Sequence, residues 1–150
     1  MNNIKIKFCG LFREEDIEYV NKLNPDYIGF VFAKSKRQIT KEKAIGLKNK
    51  LKSNIKVVGV FVDEDIESWK NSCADFLLLD NGQGTGKTFD WNNIKNLNRT
   101  FFLAGGLSID NIKEAIEKVS PMAIDISSGI ESNGVKDYEK MKEVMKILER

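Results

Sequence analysis

The chain has no histidine, the side chain that titrates closest to neutral pH, so any acid–base chemistry falls to Cys, Asp, Glu, Lys or Tyr with displaced ionisation. Cysteine is nearly as scarce. Cys9 and Cys73 are the only two, far apart and without neighbours at metal-ligand spacing, so the sequence offers neither a disulfide framework nor a zinc site. No apolar run approaches the roughly 18 residues of a membrane span. The start, Met1-Asn2-Asn3-Ile4-Lys5-Ile6-Lys7, lacks the apolar core of a secretion signal, and a cytoplasmic protein is expected. An excess of charge is missing too: 24 Lys plus Arg against 22 Asp plus Glu leave a formal +2, spread without a basic block. Neither nucleic acid nor a membrane is therefore an expected partner, whereas a phosphate-bearing small molecule is compatible.

What is present suits one globular domain over residues 1–150, with 41% hydrophobic and 31% charged residues and no linker or composition shift. Short apolar runs rich in β-branched residues predict strands at Ile4–Cys9, Tyr27–Phe32, Lys56–Val62, Asp75–Asp80, Phe101–Ala104 and Met122–Ile126. Helical periodicity follows each, over Glu14–Leu23, Lys41–Leu51, Glu64–Asn71, Trp91–Leu97, Ser108–Val119 and Asp137–Leu148. Ser108 reads as an N-cap and Pro121 as the stop of the fifth helix; Gly46 weakens the second by about 1 kcal/mol relative to Ala. Strict alternation implies a parallel sheet with right-handed crossovers, wound open or closed as a barrel. At about 25 residues per strand–helix unit, the chain holds about six units, short of an eightfold barrel.

In either arrangement ligands sit at the C-terminal ends of the strands, so the candidate residues are sought there. Cys9, followed by Gly10, could ionise beside a cation and accept a proton, or be a small buried hydrophobe. Asp80 and Asp125 each close an apolar strand, where a carboxylate must be paired, used in chemistry or spent on capping a loop. Arg37 could clamp a carboxylate in bidentate fashion, or belong to a solvated loop with Lys34 and Lys36. Gly105-Gly106 and Ser127-Ser128-Gly129 would present backbone N–H groups and hydroxyls, a phosphate cradle at the last two strands. The run Asn81 to Thr88 contains Gly-Lys-Thr after a strand, but Asn81 stands where a P-loop needs glycine, which leaves a mobile loop over substrate or a plain connector.

Several of these runs, in order, resemble the phosphoribosylanthranilate isomerase family: Lys7-Phe8-Cys9-Gly10-Leu11, Gly29-Phe30-Val31-Phe32 with Ser35-Lys36-Arg37, Val58-Gly59-Val60-Phe61-Val62 and Leu78-Leu79-Asp80. Further on, Gly84 to Trp91, Leu103-Ala104-Gly105-Gly106-Leu107 and Asp125-Ile126-Ser127-Ser128-Gly129-Ile130-Glu131 continue the likeness. The resemblance implies a truncated TIM-type (β/α) barrel with about six parallel βα units. The family's fourth and fifth units would be missing between Val62 and Asp80, and a homodimer could complete the sheet. It also implies an intramolecular oxidoreductase of tryptophan biosynthesis, acting on N-(5-phosphoribosyl)anthranilate without cofactor or metal. By the same resemblance Asp80 is the acid and Cys9 the base, Arg37 holds the anthranilate carboxylate, and Asp125 assists near the amine. Gly106, Ser127, Ser128 and Gly129 would hold phosphate, with Gly105 beside them. The alternative expectation is a phosphate-ligand-binding or assembly module derived from that enzyme.

Overall fold

The computed structural model describes residues 4–60, 77–80, 90–94 and 100–150. Its centre is a sheet of six parallel strands: β1 (Lys5–Cys9), β2 (Tyr27–Val31), β3 (Lys56–Val60), β4 (Leu77–Leu79), β5 (Phe101–Leu103) and β6 (Ala123–Ile126). Their order is β3-β2-β1-β6-β5-β4, so the first and last of them are neighbours in the middle. One face of the central strands is an apolar layer, formed by Ile6 and Phe8, Ile28 and Phe30, and Ile124 and Ile126, all of them buried. The sheet is curled. Neighbouring strands lie about 4.8 Å apart, so β2 and β5, with two strands between them, would be about 14 Å apart if the sheet were flat. Yet the rings of Tyr27 and Phe102 meet edge to face with centroids 5.4 Å apart, which brings the two flanks together over a concave inner face.

Helices pack against the convex side. α1 (Glu14–Leu23) turns Ile17 and Val20 inward, and its start is secured by the buried Asp16 carboxylate, which accepts from the backbone N–H groups of Phe12 and Arg13 at 3.0 Å. It ends at Asn24, whose φ of 56° is left-handed. α2 (Lys41–Lys48) is capped by Thr40, which accepts from the Lys43 N–H. α3 (Ile112–Val119) buries Ile112, Ala115, Ile116 and Val119, the spacing of one helical face. α4 (Tyr138–Ile147) is capped by Asp137, which accepts from the N–H groups of Glu139 and Lys140.

Three sequence expectations change. Ser108 does not cap a helix: its N–H donates to Asn111 Oδ1 at 2.9 Å in a turn, and α3 begins only at Ile112. Of the helix expected over Trp91–Leu97, the described residues show a 3-10 turn over Trp91–Asn93, capped by Asp90. After β6 the chain forms an antiparallel ribbon, β7 (Glu131–Ser132) with β8 (Val135–Lys136), that alternation of strand and helix did not suggest. The helix expected over 64–71 and the glycine-rich loop over 81–89 lie outside the described residues.

Candidate active site

Strand register assembles the site. In a strand, residues two apart share a face, so Lys7 and Cys9 of β1 point the same way. Lys7 is paired across the sheet with Asp125 of β6, and Cys9 with Gly29 of β2. These residues gather on the concave face at the C-terminal ends of the central strands. The Lys7 ammonium, entirely buried, donates to Asp125 Oδ2 at 2.8 Å and to Cys9 Sγ at 3.3 Å. Gly29 is what leaves room: a Cβ there would lie 2.5 Å from Cys9 Sγ and 3.2 Å from Lys7 Cε.

Burial and charge divide the three groups. Burial pushes the Cys9 thiol up to about 11, reinforced by the Asp125 charge and opposed by Lys7 and Lys136. Burial also raises Asp125, with the Asp80 charge adding to it and Lys7 opposing. For Lys7, burial lowers the ammonium, but the charges of Asp125 and Cys9 outweigh it and hold the group above its ordinary value. Asp125 Oδ1 is buried and has no hydrogen-bond partner among the described residues. An orphan acceptor of this kind is costly unless a ligand donates to it.

A second cluster lies beside the first. Arg37 donates to both oxygens of Glu131, Nε to Oε1 at 2.6 Å and a terminal nitrogen to Oε2 at 2.9 Å. The buried Lys136 donates to the same Oε1 at 2.8 Å and to the Ser127 carbonyl at 3.0 Å. Burial alone would raise Glu131, but the hydrogen bonds and charges of Arg37 and Lys136 hold it below its ordinary value. The net positive charge of this trio faces a site suited to anions. Gly10, at φ 75°, lets the Arg37 side chain cross the end of β1, since a Cβ would collide with Arg37 Cδ and sit 3.0 Å from Ser127 Oγ.

The glycine and serine loops follow β5 and β6. Gly105 and Gly106 adopt φ of 89° and 66°, conformations open to glycine at little strain. The Gly106 carbonyl accepts from Asn111 Nδ2 at 2.9 Å. Ser127 is half-buried and donates to the Cys9 carbonyl at 3.1 Å, while Ser128 is exposed. Gly129 pairs with Ser108, and a Cβ on it would collide with the Leu107 carbonyl oxygen, so the two loops are in direct contact. Asp80, at the end of β4, is exposed, and its charge is felt at Asp125. Residues expected from sequence thus collect at one end of the sheet, but three members of the clusters were not foreseen. Lys7, Glu131 and Lys136 are charged side chains at alternating or hairpin positions, which ordinarily face solvent.

A curled, all-parallel sheet, helices on its outer side and ionisable groups gathered at the strand C-terminal ends define an enzyme of the (β/α)-barrel class acting on a small molecule. The family model described as N-(5'-phosphoribosyl)anthranilate (PRA) isomerase matches residues 6–73 and 68–147, and the chain belongs to that family. The N-(5'-phosphoribosyl)anthranilate isomerase of Thermoanaerobacter sp. (strain X514) is 41% identical over 192 aligned positions, which take in 93% of this chain and 95% of the relative. The phosphoribosyl anthranilate isomerase structure from Thermus thermophilus superimposes with a TM-score of 0.85 at 25% identity, covering 97% of this chain and 98% of that one. A phosphoribosyl anthranilate isomerase in complex with reduced 1-(o-carboxyphenylamino)-1-deoxyribulose 5-phosphate has a TM-score of 0.75 at 27% identity, covering 97% and 98%. The 192-position alignment is longer than this whole 150-residue chain, so the relative carries internal residues that have no counterpart here. The family match breaks within 68–73, between β3 and β4. No helix among the described residues is long and apolar enough to cross a membrane.

Proposed function

We propose that this chain isomerises N-(5'-phosphoribosyl)anthranilate to 1-(2-carboxyphenylamino)-1-deoxyribulose 5-phosphate, an Amadori rearrangement of tryptophan biosynthesis, in the cytoplasm. The observation that carries this reading is the Lys7, Cys9 and Asp125 cluster on the concave face, built by register in a chain of that family. Asp80 protonates the ribose ring oxygen and opens the ring to a protonated Schiff base. Cys9 takes the C2 proton; the C–H electron pair becomes the C1–C2 double bond and the nitrogen is neutralised, giving the enolamine that tautomerises to product. Arg37 faces the anthranilate carboxylate with Glu131 behind it, and Asp125 Oδ1 accepts from the substrate amine. Gly105, Gly106, Ser127, Ser128 and Gly129 hold the phosphate by backbone N–H groups and hydroxyls.

In the free site the thiol is largely protonated at neutral pH, being held at about 11. The cationic Schiff base changes that, because a positive charge close to sulfur in a dry pocket favours thiolate. The thiol proton passes to solvent as the Schiff base forms, and the thiolate left behind is the base that takes the C2 proton. Freshly generated phosphoribosylanthranilate is fluorescent, and its decay with purified protein tests the reading. Rapid decay is expected, with Cys9→Ala and Asp80→Asn each reducing it on the order of a thousandfold, the scale of a general acid or base. A folded wild-type protein with no decay above background would remove this function and favour a phosphate-binding module.

The chain further pairs with a second copy through its sheet edges. β3 and β4 are the outer strands, and no pairing joins them among the described residues. Unpaired edges are templates for another strand. Sedimentation is expected to give a dimer; a clean monomer would rule this arrangement out.

A further inference from the structure

Among the buried charges at the strand ends, Lys7 takes no part in the proton transfers just described. Barrel interiors are filled mostly by branched apolar residues, and a wholly buried ammonium is costly unless its donors are used. A counter-ion for Asp125 would account for the 2.8 Å bond to Oδ2, but not for the 3.3 Å bond to Cys9 Sγ. Nor would it account for the space at Gly29, which accommodates both Sγ and Lys7 Cε. The ammonium is placed between sulfur and carboxylate by β1 itself, two residues before Cys9.

We propose that Lys7 is a positioning residue for the proton acceptor of this site: its ammonium fixes where the Cys9 sulfur sits and supplies the positive charge against which a thiolate forms. The proposal rests on the isomerase reading for its catalytic consequence, and on geometry for its effect on sulfur. When the C2 proton passes to Sγ, Lys7 keeps its bond to Asp125 and the sulfur leaves the step as a neutral thiol. Among the described residues, the charges that act most on the sulfur are Asp125 on β6, Lys7 on its own strand and Lys136 on β8. Asp125 disfavours the thiolate, while Lys7 and Lys136 favour it. Of the two cations, only Lys7 donates a hydrogen bond to Sγ.

The test follows the iodoacetamide reaction of Cys9 by mass spectrometry of its peptide, which keeps Cys73 separate, at a fixed pH between 8 and 9. Lys7→Met is expected to slow alkylation about tenfold or more, the change that corresponds to one pH unit of thiol ionisation, and to lower kcat by a similar factor with KM nearly unchanged. Lys7→Arg, which keeps the charge, is expected to recover most of the alkylation rate. Lys7→Met leaves Asp125 buried without its cation and could fail to fold, so the same comparison is made in an Asp125→Asn background. There the added Lys7→Met is again expected to slow alkylation about tenfold. Equal alkylation rates with and without Lys7, in either background, would overturn the proposal. Because alkylation needs no substrate, a protein without isomerase activity would sink the functional reading while leaving the role of Lys7 decided separately.

Discussion

At the scale of single residues, Cys9 is governed by opposing neighbours, and its free-state chemistry should show it. The alkylation profile of the wild-type thiol is expected to have its midpoint near 11, where burial places it, and not near the ordinary 8.5 of an exposed thiol. Gly29 is equally constrained: Gly29→Ala is expected to abolish most turnover by displacing sulfur, since a Cβ would lie 2.5 Å from Sγ and 3.2 Å from Cys9 Cα. Activity and melting measured together check it; an active, equally stable variant would contradict the geometry. Glu131 has a folded-state value held below the unfolded one. Its stabilisation is therefore present above the unfolded carboxylate value of about 4.3 and is lost as pH falls through the depressed folded value. Glu131→Gln is expected to flatten the acid limb of melting temperature against pH, and an unchanged limb would count against the Arg37 and Lys136 pairing. The placement of Cys9, Asp80 and Asp125 at or beside the C-terminal ends of strands was legible in sequence, because each interrupts or closes an apolar run. Lys7 was not, because a lysine alternating with apolar residues ordinarily reads as a solvent face. Nor was the grip of Glu131 on Arg37, a contact across 94 residues that local pattern cannot reveal.

Elements were easier to read than contacts, for a physical reason. α1 occupies the expected Glu14–Leu23, and α3 the last two thirds of Ser108–Val119, because an apolar face recurring at helical spacing must be buried whatever packs on it. The ends depended on local hydrogen bonding: Asn111 Oδ1 takes the Ser108 N–H and delays α3 by a turn. The β7–β8 ribbon was available in the dipeptide Asn133-Gly134, whose φ of 52° and 79° suit a tight hairpin turn, but its strands are two residues each and carry no periodicity. The ribbon is tied to the next helix by Ser132, which donates to Asp137 Oδ2 at 2.6 Å. Asp137→Ala removes the α4 cap and this anchor together. A loss of about 1 kcal/mol is expected from the cap alone, visible by calorimetry as a fall of roughly 2–4 °C in melting temperature.

At the scale of the whole molecule, the described residues form a main sheet in which β1 and β6 are central neighbours, with β3 and β4 at its rims. Strand–helix alternation implies six parallel units without deciding between open and closed forms, because closure depends on how the rim strands meet and not on any strand's own composition. The residues proposed to bind and react, apart from Asp80, follow β1, β2, β5 and β6, away from the break in the family match. Curvature is held in part by Tyr27 against Phe102 across the concave face. Phe102→Ala, a truncation at a largely buried ring, is expected to destabilise by about 3 kcal/mol or more in denaturant titration. The β1–β6 register has a kinetic consequence. Lys7 and Asp125 are 118 residues apart in the chain, and a one-residue slip between their strands would bring an apolar neighbour to the place of each. Helices can form locally and early, whereas this pairing waits for the two ends of the chain to find each other. During refolding, turnover should therefore return later than the helical circular-dichroism signal, making the enzyme's own activity a clock for its longest-range contact.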